Sequence, residues 1–340
     1  MIVGLSAWMD QSRPSWMDEF KRACGLLGWE ARVIDIGRDD WEQAVQGLEL
    51  LVWRPAMGDP SEMAEIRTKI PFLEAMGIPC FPNSQMLWLY DDKIRETFFL
   101  RKHGYPTPKT FVSFNGAAAR EYAEGATYPL IAKTHAGASA RGVVKLDSKE
   151  QALRILDGVF REQSILDKAL VKFYYQPRLA KGDFLLERKY RFRDYCPRYA
   201  YFQEFITTDA DWRITTMGKD LISIFKRQNR ENDFRASGSG IWERLEAADL
   251  PVEACDLALE ISNRHGFTTM AYDFMHSSRG WVIGEISMSY ILNDIYATTL
   301  FRRTAAGYVQ EAQTPIGVSL LRAAKDAVDR KVQFPHWPMA

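Results

Sequence analysis

The chain has 340 residues, of which 46% are hydrophobic and 26% charged, enough for about two domains with a substantial core and unlike a disordered chain. The 44 Lys and Arg balance the 44 Asp and Glu, with a pI near 7.0, so no global field exists to hold nucleic acid or an anionic membrane. No apolar run approaches the about 18 residues of a membrane helix; there is no basic leader, and Cys24, Cys80, Cys196 and Cys255 are scattered, so a cytoplasmic, reduced setting is expected.

In chain order, Ile2–Leu5 reads as a strand, and Pro14 suits the first turn of a helix. Trp16, Phe20, Ala23, Cys24 and Leu27 then recur at helical spacing until Gly28 closes the run. Ala31–Ile36 and Leu48–Trp53 follow as strands, so the first eighty residues suggest an α/β unit with a parallel sheet. After Pro79, Pro82 and Asn83, a helix capped by Ser84 is expected to carry Leu87, Tyr90, Ile94 and Phe98 on its apolar side and to stop before Gly104. Strands are expected at Thr110–Phe114, Tyr128–Lys133 and Gly142–Leu146. A capping box, Ser148-x-x-Gln151, opens a helix through Phe160. The stretch from Lys172 to Arg227 is mostly β-like. Pro251 starts a helix ending at Gly266, Met270–Met275 and Trp281–Ile286 are strands, and Thr314-Pro315 begins the last helix.

Four features bear on chemistry. The strand Pro129–Lys133 ends on a lysine, just before the small-residue loop Gly137–Gly142, whose backbone N–H groups could approach a phosphate; a solvated lysine beside an ordinary hairpin is the plain alternative. The segment Tyr201–Ile206 is apolar and carries Glu204, so it is either a common strand or one edge of an adenine pocket. Asp273 and Glu285 lie on two neighbouring strands among apolar residues, where acids are rare unless paired or bound to metal; hard oxygen donors suit Mg²⁺. Finally, Lys189–Arg193 alternates basic and aromatic residues, and 178–198 holds seven basic residues against three acidic ones, which fits a charge-protected edge strand or an anion-binding face.

The order of these features resembles the ATP-grasp superfamily from about Asn83 to Asn293, and within it the ribosomal-protein glutamate ligase and bacterial glutathione synthetase group. The motifs are Tyr90-x-Asp92-Lys93, the loop ending Gly142-Val143, Asp211-x-Arg213, Lys226-Arg227-Gln228 and Asp233-Phe234-Arg235. The resemblance implies an α/β and α+β chain: a pre-ATP-grasp α/β domain over 1–88, then a two-lobed ATP-grasp domain over 89–340. Its nucleotide lobe is expected at about 105–205 and its metal and substrate lobe at about 206–340.

By the same resemblance, Lys93 and Lys133 neutralise nucleotide phosphates, and Gly137 to Gly142, with Ser139 among them, form the lid over those phosphates. Gln203, Glu204, Phe205 and Ile206 hold adenine, and Lys226 joins the nucleotide-binding set. Arg213, Arg227 and Arg235 hold the γ-phosphate and an acyl-phosphate. Asp273 and Glu285 bind Mg²⁺. The family usually reads Glu-x-Asn where this chain reads Glu285-Ile286-Ser287, so Ser287 becomes a metal candidate, with two Mg²⁺ ions expected and one reached through water.

ATP and Mg²⁺ then imply a carboxylate–amine ligase working through an acyl-phosphate, because phosphoryl transfer needs positioning and charge neutralisation rather than a protein nucleophile. The alternatives are a kinase on the same fold and a nucleotide-binding protein without catalysis. The expected partners are small-molecule or peptide carboxylates and amines, with no nucleic acid or membrane; a homodimer is open. Trp8, Trp53 and Arg54 are substrate candidates in the first domain.

Overall fold

The structure is a computed structural model that describes residues 1–7, 9, 15–54, 60–136, 142–161, 173, 198–312 and 315–329. Two compact units emerge. One gathers the described residues of Met1–Thr107, Ala136–Ala140 and Ile206–Ala340, the other those of Pro108–His135 and Arg141–Phe205. The boundary expected after residue 88 falls inside the first unit. Among the described residues, no helix is long and apolar enough to cross a membrane.

The first unit opens with a parallel sheet in the order β2-β1-β3-β4, formed by Ile2–Ser6 (β1), Glu30–Ile34 (β2), Leu50–Val52 (β3) and Cys80–Phe81 (β4). Helix α1, Trp16–Leu27, follows the sequence closely: the Ser15 side chain accepts from the Asp18 N–H, Trp16, Phe20, Ala23 and Cys24 are buried, and Gly28 ends it at φ 68°. Trp41–Ala44 (α2) and Pro60–Ala75 (α3) complete this layer.

The long helix expected after Pro82 is two. Asn83, rather than Ser84, caps Ser84–Leu89 (α4) by accepting from the Met86 N–H at 2.9 Å; the Ser84 hydroxyl is taken by the Glu74 carboxylate. Asp91 then adopts φ 51°, and Asp92 caps a new helix, Lys93–Lys102 (α5), by accepting from the N–H groups of Ile94 and Arg95. The break places Lys93 at the first residue of α5, where its side chain is buried.

The second unit is an antiparallel sheet in the order β5-β8-β6-β7. Its strands are Thr110–Ser113 (β5), Leu130–Lys133 (β6), Val143–Leu146 (β7) and Ala200–Glu204 (β8), packed against Gly116–Gly125 (α6) and Lys149–Val159 (α7). The capping box at α7 takes another form: the Ser148 side chain makes no cap bond to the helix backbone, and Gln151 Oε1 accepts from the Asp147 N–H at 2.7 Å. The core is built largely of small residues, among them Ala119, Ala123, Ala132 and Ala152 around Phe202.

The chain re-enters the first unit at Ile206 and builds a seven-stranded sheet, β13-β12-β9-β10-β14-β15, with β11 on the side of β10. These are Ala210–Met217 (β9), Leu221–Gln228 (β10), Trp242–Arg244 (β11), Thr269–Ser277 (β12), Gly280–Ser287 (β13), Thr299–Thr304 (β14) and Gly307–Glu311 (β15). Val252–His265 (α8), Leu292–Tyr296 (α9) and Ile316–Asp329 (α10) accompany them. One hydrophobic core runs from Val3 and Leu5 of β1 through Ile214, Tyr272 and Phe274.

Candidate active site

Strand register assembles the charged residues of the first unit. Arg213 pairs with both Phe225 and Asp273, Asp211 pairs with Arg227, and Asp273 pairs with Glu285. Because partners across neighbouring strands point to the same face, Asp211, Arg213, Arg227, Asp273 and Glu285 share one side of the sheet. The pairing of β12 with β13 shifts between Asp273 and Phe274, leaving Gly284 as an extra residue. This bulge turns Glu285 to the charged side although Ile283, two residues earlier, faces the other way.

The charges interlock. Arg227 donates to Asp211 through Nε at 2.5 Å and Nη2 at 2.8 Å, and its Nη2 lies 2.9 Å from Asp273 Oδ1. Arg213 Nε lies 2.6 Å from the same Asp273 oxygen. Burial disfavours the Arg227 charge, yet the carboxylates of Asp273 and Asp211 outweigh it and hold the guanidinium above its ordinary range. Lys93 Nζ lies 3.4 Å from Glu285 Oε1. Burial again opposes the charge, and Glu285, Glu96 and Asp91 together raise the Lys93 pKa. Glu96 also accepts from the Ile286 N–H at 3.2 Å, so α5 grips β13 beside Glu285.

Several expected site residues lie apart from this cluster. Lys226 pairs with Trp212 on the opposite face, its Nζ 5.5 Å from that ring. Arg235 is engaged by Asp233 two residues away. The Ser287 hydroxyl donates to the Ser289 carbonyl at 3.0 Å and accepts from the Ser289 N–H at 3.2 Å, closing a local turn. Trp53 is buried with its indole N–H donating to Glu62. Arg54 is buried between the rings of Trp16 and Tyr290 and donates to the carbonyls of Met288 and Tyr290. Both are held within the first unit by packing.

In the second unit, Lys133 is the last residue of β6 and pairs with Val143. Beyond it the Thr134 N–H donates to the Gly142 carbonyl at 2.8 Å. Gly142 has φ 75°, and a Cβ there would lie 2.0 Å from Thr134 Oγ1, so this neck requires glycine. On β8, next to β6, buried Gln203 donates from Nε2 to Thr110 Oγ1 at 3.0 Å, and Glu204 accepts from the Lys109 N–H at 3.0 Å. Lys145 Nζ lies 4.8 Å from the Phe205 ring. The chain leaves this unit between Phe205 and Ile206, both half-buried. Gly137, Ser139, Trp8 and 178–197 lie outside the described residues.

Sequence reasoning gave no role to Asp211, Glu96 or Asp294. Asp211 stood in the quoted Asp211-x-Arg213 motif, where identical strand-face parity was the available signal. Asp294, on α9, is electrostatically coupled to Arg213 and Arg227, which only the three-dimensional return of α9 reveals.

Asp273 and Glu285 supply two hard oxygen donors on one face, which suits Mg²⁺, an ion that commonly takes one or two carboxylates and completes its shell with substrate phosphates and water. Among the described residues, no group of three or more His, Cys, Asp or Glu could hold a metal.

No family model matches the chain. It is 25% identical over 217 residues to an α-aminoadipate–LysW ligase of Saccharolobus solfataricus, covering 63% of this chain and 67% of that protein. A RimK domain protein ATP-grasp from Sphaerobacter thermophilus superposes with a TM-score of 0.58 at 14% identity, covering 96% of this chain and 100% of that one. D-alanine–D-alanine ligase from Bacillus anthracis gives 0.53 at 15% identity, covering 97% and 98%.

Proposed function

We propose that this chain, which belongs to the ATP-grasp superfamily, joins a carboxylate to an amine at the expense of ATP. The observation that carries this reading is the charged face of the seven-stranded sheet. Arg213 and Arg227 stand beside a facing pair of carboxylates, Asp273 and Glu285. A carboxylate is a poor acyl donor until its oxygen becomes a leaving group. Transfer of the γ-phosphoryl group to that oxygen gives an acyl-phosphate, and attack by an amine then releases phosphate.

In this scheme the two guanidiniums hold the phosphoryl and carboxylate oxygens, whose charge they can neutralise in a bidentate manner. Asp273 and Glu285 would hold Mg²⁺, an ion that would supply positive charge to screen the phosphate oxygens. Lys93 and Glu96 fix Glu285 and its strand from the side of α5. With the Ser287 hydroxyl engaged by Ser289, a second ion would draw its ligands from nucleotide and water. Lys133 provides a cation for the nucleotide phosphates at the mouth of the glycine neck, and the β8 segment Gln203–Phe205, continuing into Ile206, forms the adenine edge. The rest of the expected set, Lys226 and Arg235, would serve only if a ligand draws them from Trp212 and Asp233. The kinase alternative rests on 178–198, most of which lies outside the described residues.

Trapping with hydroxylamine tests the reading. Incubated with ATP, Mg²⁺ and L-glutamate, α-aminoadipate or D-alanine as carboxylate, the protein should yield a hydroxamate together with ADP. ATP consumption that leaves a stable phosphate ester and no hydroxamate would make it a kinase instead.

A further inference from the structure

The turn end of the β9–β10 hairpin borders a cavity that shares no residue with the charged face. Its volume is about 400 Å³, within the range of small-molecule pockets. Met217–Leu221 form one wall, the end of α8 with Phe267 and Thr268 a second, and α10 with Arg302 of β14 a third. Along β9, Met217 lies about 13 Å from Arg213, at about 3.3 Å per residue. The walls are tied to one another. The Gly218 N–H donates to the Thr268 carbonyl at 2.9 Å, and Asn263 Nδ2 donates to the Lys219 carbonyl at 2.8 Å. A Cβ on Gly218 would already touch Ala323 of α10 at 3.4 Å.

Cations outnumber acids in this lining: Lys219, Arg264, Arg302 and Arg322 stand against Asp220 and Asp326. Both acids are taken. Arg302 Nη1 lies 2.7 Å from Asp220 Oδ1, with Glu311 of β15 on its Nε, and Lys219 Nζ lies 3.3 Å from Asp326 Oδ2. Arg264 is hydrogen-bonded to the neutral Tyr105 hydroxyl. Among the described residues neither Arg264 nor Arg322 forms an ion pair with a carboxylate. Two guanidiniums in excess call for two negative charges, and their planar forks match carboxylate and phosphate oxygens. The carbonyl end of α8 would oppose an anion, but its Ser262 carbonyl already accepts from the Gly266 and Phe267 N–H groups. Met217, Leu221 and Phe267 add an apolar side, which an inorganic ion alone would leave against water.

We propose that this cavity binds an organic dianion, a phosphate monoester or a dicarboxylate, with Arg264 and Arg322 as its counter-charges and its carbon body on the apolar side. The site stands independently of the ligase reading. Titration calorimetry on the full chain tests it, with phenyl phosphate and phenylsuccinate as probes. One of them should bind at one equivalent, and the one that binds more tightly identifies the oxyanion. Arg264 and Arg322 are exposed, so Arg264→Glu and Arg322→Glu should keep the parent's melting temperature while each weakens that probe at least about tenfold. Lys133→Ala should bind it as the parent does. The absence of saturable binding of either probe at millimolar concentration overturns the proposal, as does undiminished affinity in either charge-reversal variant. Loss of binding in Lys133→Ala overturns it as well, because the anion would then occupy the nucleotide site.

Discussion

On the seven-stranded sheet, Arg227 is fixed by two carboxylates and Arg213 by one; on the four-stranded sheet, Gln203 is fixed by a hydroxyl and Glu204 by a backbone N–H. The first region uses charge to position charge, and it does so while half-buried or buried. The second uses neutral or backbone partners over a core of small residues. Removing one member of a buried ionic network leaves the others uncompensated, so the first region should reveal its residues mainly through stability. A cation at a strand end should reveal itself mainly through ligand binding.

The largest effect is expected at Arg227. Arg227→Ala strands Asp211 and Asp273 on the same face, and unfolding in denaturant should show a loss of about 3–5 kcal/mol. A change near zero would mean that the network is not the organising element of that sheet. The complementary change, Lys133→Ala, should leave the denaturation midpoint in place and weaken ATP binding by about 1.5–3 kcal/mol, the worth of a charge-assisted contact to phosphate. Titration calorimetry on the folded variant decides it, and unchanged affinity would move the phosphate site away from the glycine neck.

The smallest effect lies in a region outside both comparisons. His265 packs with Phe99, His103, Tyr105 and Phe267, and its Nε2 lies 2.8 Å from the Tyr105 hydroxyl. Burial first, then His103, Arg264 and Lys102, lower its pKa from 6.5 to about 4. The unfolded chain binds the proton more readily, so stability is greatest above pH 6.5 and declines as pH falls through this window toward about 4. His265→Gln should flatten that part of the stability profile relative to the parent; parallel profiles would show that His265 titrates normally.

Much of the fold could be read from residue spacing because local signals agreed with the final packing. In α1 the helical period, the N-terminal serine and the closing glycine all point the same way. The helix split at Asp91 escaped because Tyr90 and Ile94 continue an apolar stripe across it; the decisive element is the Asp92 carboxylate, which caps α5. Helix α3 escaped for another reason: it contains Pro71, a residue that argues against a helix interior, although Met63, Ile66, Ile70 and Leu73 line one buried side. The candidate site divides similarly. Asp273 and Glu285 could be paired from two adjacent strands, but the commitment of Arg227 to Asp211 depends on the register of the β9–β10 hairpin, and that of Lys93 to Glu285 on α5 meeting β13 from a distant part of the chain. Arg54 is a substrate candidate in the sequence only through its place in the first domain. Its burial between Trp16 and Tyr290 depends on rings distant from it in sequence.

The bulge at Gly284 makes β13 a strand with two counting frames. Before it, odd-numbered Trp281 and Ile283 face the side of Trp212; after it, odd-numbered Glu285 and Ser287 face the arginines. Insertion or loss of a single residue elsewhere in the strand would exchange the two sides, setting an indole among guanidiniums or a carboxylate against tryptophan. Removal of Gly284 would instead restore ordinary alternation with every side chain still on its present side. Tolerance of this strand to a change in length is thereby confined to one codon.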